Sequence, residues 1–306
     1  MICGVRLFRL EYELPNPPSF SYIEMLKARS TGEFEPVFFE WYKFVGNLAH
    51  LAMVISPDSE GFRQDSPRNI SVLTGLINRC CRLMLANIAL SHQGKFGETT
   101  LIVDRCIFES AVKISWLCND PKQERFDRFV NDGLRADVEF KQQIEENIAQ
   151  RGQVLLIEKR MLNSINKYLE LSETTEESVN QSKRMPKFNQ LMDKIGRDEL
   201  QYLVRQKLGS HHVHGTWSSL LTHYLEPDET GKQLVLRDHD CPTDTNQYVA
   251  TIEAVLQAVT DYVSYAFPTG KNRTPFINLF SGTYEEIMTL FEEASKIRDH
   301  LQSSAS

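Results

Sequence analysis

SPRNISVLTGLINRCCRLMLANIALSH (residues 66–92) and TTLIVDRCIFESAVKISWLC (residues 99–118) decide the fold. Each is a long apolar run too regular at three- and four-residue spacings for a strand. Ser66 followed by Pro67 is a cap and first-turn pair that opens a helix, and Gly94 closes it. Asn119-Asp120-Pro121 closes the second. Both are apolar on nearly every face, which marks central helices. The short Gln93–Gly97 connection makes them antiparallel neighbours.

Working outward, Glu35–Ile55 carries Phe38, Tyr42, Val45, Leu48 and Leu51 at helical spacing. Glu124–Gln150 has one stripe (Phe126, Phe129, Val130, Leu134, Val138) on a charged body, a surface helix, and Val154–Leu169 returns antiparallel to it across Arg151-Gly152. Further helices are predicted over Lys187–Ile195, Asp198–Leu208, Thr216–Leu225, Thr245–Phe267 and Thr283–Leu301, with Pro268, Gly270 and Pro275 breaking the chain before the last. Alternation at Phe8–Leu14 predicts a strand stopped by Pro15, Pro17 and Pro18. A second strand, Gln233–Arg237, follows the turn-forming Pro227–Gly231, and the two are candidates to pair. The expected fold is all-α: a multi-helix bundle with two buried antiparallel central helices and at most a minor two-stranded β element. The expected organisation is an N-terminal strand or extended segment (1–34), one helical domain (35–301) with a sub-boundary at the polar stretch 172–183, and a disordered tail (302–306).

Bulk properties bound the function. A 306-residue chain with 41% hydrophobic and 25% charged residues has a real core. A formal charge of −7 argues against unselective coating of nucleic acid or anionic membrane, and leaves room for a local basic site. Six cysteines without a Cys-x-x-Cys pair suit a reducing compartment, so a cytoplasmic protein without signal peptide or membrane span is expected.

Two features carry candidate chemistry. Arg105 and Glu109, four apart, put an ion pair on an apolar helix face with Leu101, Phe108, Val112 and Trp116. Such a pair reads either as a structural bridge or as a pair projecting into a central pocket, and Asn78, Arg79, Arg82 and Asn87 add polarity to the neighbouring helix. The second is Lys207-Leu-Gly-Ser-His-His-Val-His-Gly215. Gly209 reads as a helix end, and Ser210 as the cap of the next helix. From residue 183 to 215 seven Lys or Arg stand against three acids, a local surplus of four positive charges. Three readings stay open. His211, His214 and His223 could take zinc, although no second ligand motif accompanies them. A histidine could act as general base or acid, with Arg205 and Lys207 holding a phosphate. Or the histidines are structural, satisfying polar groups at a helix junction.

Arg105-x-x-x-Glu109 with Ser210-x-x-Val213-His214-Gly215 resembles, over Asn78–Tyr224, a widespread bacterial helical family of unknown function. The resemblance picks out Arg105, Glu109, Ser210 and His214 and implies no activity. A weaker resemblance is to the HEPN ribonucleases, helical bundles of toxins and phage defence, whose arginine, four to six residues, then histidine is matched by Arg205-x5-His211 and Arg205-x6-His212. Gly209 interrupts the continuous helix of that pattern. The resemblance implies a composite site from two subunits that cleaves RNA without metal or cofactor. The site expected on these grounds is His214, His211, Arg205, Lys207, Ser210, Arg105 and Glu109, with RNA or a nucleotide as ligand and a second copy as partner. The alternative is a non-catalytic helical module that binds a ligand or a protein.

Overall fold

The computed structural model describes residues 15–91, 94–196, 209–237 and 241–305; of residues 209, 210, 304 and 305 it describes the backbone alone. Twelve helices occur among the described residues: α1 (Tyr22–Thr31), α2 (Glu35–Met53), α3 (Pro67–Ser91), α4 (Gly97–Asn119), α5 (Gln123–Arg151), α6 (Leu156–Leu171), α7 (Glu176–Gln181), α8 (Phe188–Lys194), α9 (Gly209–Val213), α10 (Trp217–His223), α11 (Thr245–Ala266) and α12 (Arg273–Ala305). Between α10 and α11 lies a hairpin, β1 (Leu225–Pro227) and β2 (Leu234–Leu236), paired antiparallel with Leu225 opposite Leu236. The fold is all-α with a two-stranded element.

The chain forms two compact units: Met1–Asp65, Leu73–Asn119 and Phe188–Ser306 in one, Ser66–Val72 and Asp120–Lys187 in the other. In the first, α3 and α4 run antiparallel, and the pairs between them widen steadily in sequence. Asn87 Nδ2 donates to the Thr100 carbonyl, the Cys80 thiol to Ile107 and Arg79 Nε to the Ser110 hydroxyl. Helix α3 buries Leu73, Ile77, Cys80, Cys81 and Met84, while Arg79, Arg82 and Ala86 face water, so it is two-faced rather than apolar all round. It is the one described helix long and apolar enough to cross a membrane. Helix α11 packs against α2, α4 and α12, and its Tyr248 sits edge-on to Tyr42 with ring centroids 5.4 Å apart. Trp41, Trp116, Tyr262 and Phe280 fill this core.

In the second unit the predicted stripe of α5 is the buried one: Phe126, Val130 and Val138 are inside. Gly152, in left-handed backbone (φ 73°), turns the chain into α6. The stretch 172–183 is not a bare linker. Thr175 caps α7 through the Ser178 amide, and Val179 packs with Val138, Ile165 and Leu169.

Three expectations are corrected. The segment before residue 35 contains α1, opened by a reciprocal Ser21–Glu24 capping box. Helix α12 begins ten residues earlier than expected, because Pro275 falls in its first turn, where proline forfeits no hydrogen bond. It runs on through Ala305. The partner of β2 is β1; the strand expected at residues 8–14 and the helix at 198–208 lie outside the described residues.

Candidate functional site

Helix α4 starts at Gly97, and what packs there determines why it is glycine. A Cβ at this position would stand 2.5 Å from the Pro242 carbonyl oxygen and 2.9 Å from that of Cys241. The Gly97 amide donates to the Cys241 carbonyl at 2.7 Å. The chain leaving the hairpin is therefore held directly on the first turn of α4, and the next residue, Glu98, is brought beside it.

Glu98 gathers the rest. The Ser219 hydroxyl donates to Oε1 and the Tyr224 hydroxyl to Oε2. His212 Nδ1 lies 3.6 Å from Oε1, outside hydrogen-bond range and well inside ion-pair range. The rings of His212 and His223 meet edge-on with centroids 5.0 Å apart, and His223 Nδ1 lies 3.0 Å from Cys241 Sγ. Ser219 and His223 share a face of α10 by their spacing of four, and that face is turned inward: Ser219 is fully buried.

Burial pushes the Glu98 carboxyl up, but the hydroxyl donors Ser219 and Tyr224 and the two imidazoles outweigh it, and the group titrates below the ordinary carboxylate range. A place in the first turn of a helix favours its negative charge as well. His212 is held below the usual imidazole range by burial, against the attraction of Glu98. For His223, burial and then the neighbouring His212 act in the same direction. Donating its hydrogen bond to the Glu98 carboxylate pushes the Tyr224 phenol up to about 12. Two neutral imidazoles thus face each other over one ionised carboxylate. His212 Nδ1 and His223 Nε2 are shut off from water without a hydrogen-bond partner, so each has unused proton capacity. Among the described residues no group of three or more His, Cys, Asp or Glu is placed to hold a metal ion.

A family model covers residues 70–233, and the family has no assigned function. The chain belongs to the family of unknown function DUF5677. No curated protein matches it, and no solved structure does. The DUF5677 span includes Glu98, His212, Ser219, His223 and Tyr224, and ends before Cys241.

The residues expected from sequence fall as follows. Arg105 Nε and Glu109 Oε1 form an ion pair at 3.1 Å. Glu98, Arg105 and Glu109, spaced seven and four, run along one face of α4, with Arg105 roughly 10 Å of helix axis beyond Glu98. His211 Nδ1 is 2.9 Å from the Thr216 hydroxyl. His214 is exposed, followed by Gly215 in left-handed backbone (φ 55°). Gly209 and Ser210 form the first turn of α9 itself, rather than an end and a cap. Arg205 and Lys207 lie outside the described residues. The pair brought onto Glu98 is His212 and His223. Glu98, Ser219, Tyr224 and Cys241 carried no motif; the one sequence signal for Glu98 was an acid directly after a helix-opening glycine.

Proposed function

We propose that the chain is a metal-independent enzyme that cleaves RNA or processes nucleotides, with His212 and His223 as its proton-handling pair. One observation carries this reading: two imidazoles in contact, both held neutral, sharing a single carboxylate. A pair of this kind takes up one proton between them, since charging one ring disfavours charging the other. One ring then accepts the proton of an attacking hydroxyl, such as a ribose 2′-OH, and the other returns it to the leaving oxygen. Glu98 orients His212 and stabilises its charged form. Arg205 and Lys207 hold the phosphate, and the Arg105–Glu109 pair continues the same face of α4. His211 and His214 stand on either side of His212 in sequence, and Ser210 lies in the first turn of α9, the helix that carries His212.

The HEPN resemblance supports the same reading through Arg205-x6-His212, and with it a homodimer acting in bacterial stress or phage defence. The purified protein, with chelator present, should cut RNA. His212→Ala and His223→Ala should each lower the rate by about 10²–10⁴-fold and relieve any growth arrest on expression. Intact RNA, or variants as active as the parent, would overturn the assignment.

A second reading, a non-catalytic binding module, has one observation in its favour. Both oxygens of Glu98 are already engaged by Ser219 and Tyr224, as a structural junction requires. Under it, both alanine variants lose stability and no RNA is cut by any form.

A further inference from the structure

The five described cysteines occupy two kinds of environment. Cys80, Cys81 and Cys118 are buried in the helical core, where burial pushes the thiols of Cys80 and Cys81 up to about 12 and about 11. Thiols so placed are poor nucleophiles. Cys106 and Cys241 are both half-buried, and they differ in their neighbours. Cys241 Sγ faces His223 Nδ1 at 3.0 Å. The Cys241 carbonyl is tied to the Gly97 amide at 2.7 Å, which anchors the backbone that carries the thiol. On the far side of that ring, Nε2 is shut off from water and has no hydrogen-bond partner.

We propose that Cys241 is the reactive thiol among the described cysteines, with His223 as its base, and that it undergoes exchange with low-molecular-weight disulfides. Sγ attacks one sulfur of the disulfide while its proton passes to His223 Nδ1. A new S–S bond forms, the old one breaks, and the departing thiolate recovers the proton from the imidazole. One thiol and one disulfide are consumed; one mixed disulfide and one thiol are produced. A cysteine is activated when a base can take its proton as the bond forms and when the thiol is accessible. Among the described cysteines Cys241 alone is placed to meet both conditions. The mixed disulfide draws Sγ away from Nδ1, so the modification reports directly on the His212–His223 pair. It concerns thiol chemistry whether or not RNA is cut, so the two readings fail separately.

The test uses the folded full-length protein and dithiodipyridine, a neutral aromatic disulfide, with peptide mapping of the modified cysteines over time. Cys241 should react about tenfold or more faster than Cys106. His223→Gln should bring the Cys241 rate down toward that of Cys106 and leave Cys106 unchanged. A Cys241 rate no higher than that of Cys106, or one indifferent to His223→Gln, overturns the proposal. Should the variant unfold, which exposes Cys80 and Cys118 to the reagent, the wild-type ranking decides alone.

Discussion

Asp104 places a carboxyl group inside the first unit. Its Oδ1 accepts from Asn87 Nδ2 at 2.7 Å and from the Thr251 hydroxyl at 2.8 Å, while Oδ2 is buried with no partner. Burial, against those two hydrogen bonds, pushes its carboxyl up from 3.8 to about 7. Folding therefore favours the protonated acid. That stability is fully present below pH 3.8 and is lost as pH rises through about 7, on the order of a few kcal/mol. Asp104→Asn keeps an acceptor and cannot ionise. Its melting temperature should overtake the parent's by a margin that widens between pH 5 and 8; a pH-independent difference would refute the assignment. The imidazoles act with the opposite sign. His212 and His223 are depressed, so their neutral forms suit the fold, and stability should fall as pH drops below 6.5. His223→Gln should flatten that acidic decline in a melting series. The polar centre was half legible in the sequence: Asn87 stood out against its apolar neighbours, whereas Asp104 passed as one charge in a helix that also carries Arg105 and Glu109.

At the level of elements, the junctions matter more than the helix interiors. Gly97→Ala places a methyl against two backbone carbonyls that cannot rotate away, so the Cys241 segment must shift from the first turn of α4. A loss of about 2–4 kcal/mol by denaturant unfolding is expected, as for other steric insertions at packed positions. Asp244 opens α11 through a reciprocal box with Gln247 and accepts from the Asn246 amide. Asp244→Ala should cost about 1 kcal/mol in the same measurement. Elements with such punctuation were readable in advance: Ser66 and Pro67 mark the start of α3, where the Asn69 amide donates to the Ser66 hydroxyl. Helix α1 was missed because Tyr22, Ile23 and Leu26 are exposed, so no apolar period marks it. Its capping box was the available clue. Pro275 was misread because the same residue that breaks a helix in its middle is tolerated in its first turn.

On the scale of the molecule, the second unit rests on a small cluster, with Val138 and Val179 fully buried at its centre. Val179→Asp introduces a charge with no counter-ion there, and amide exchange in α6 and α7 should rise steeply. Unchanged protection would mean the cluster does not hold them. Helix content and the central pair were legible because periodicity is local. The candidate site was not, because its parts at Glu98, His212, His223 and Cys241 meet only through tertiary structure. Cys241 reaches Gly97 across 144 positions of sequence, and this has a bearing on biosynthesis. A ribosome must have passed residue 241 before that contact can close. Until then His223 lacks its Cys241 neighbour and the first turn of α4 lacks the segment packed on it, so the surroundings of the imidazole pair are the last part of this unit to be completed.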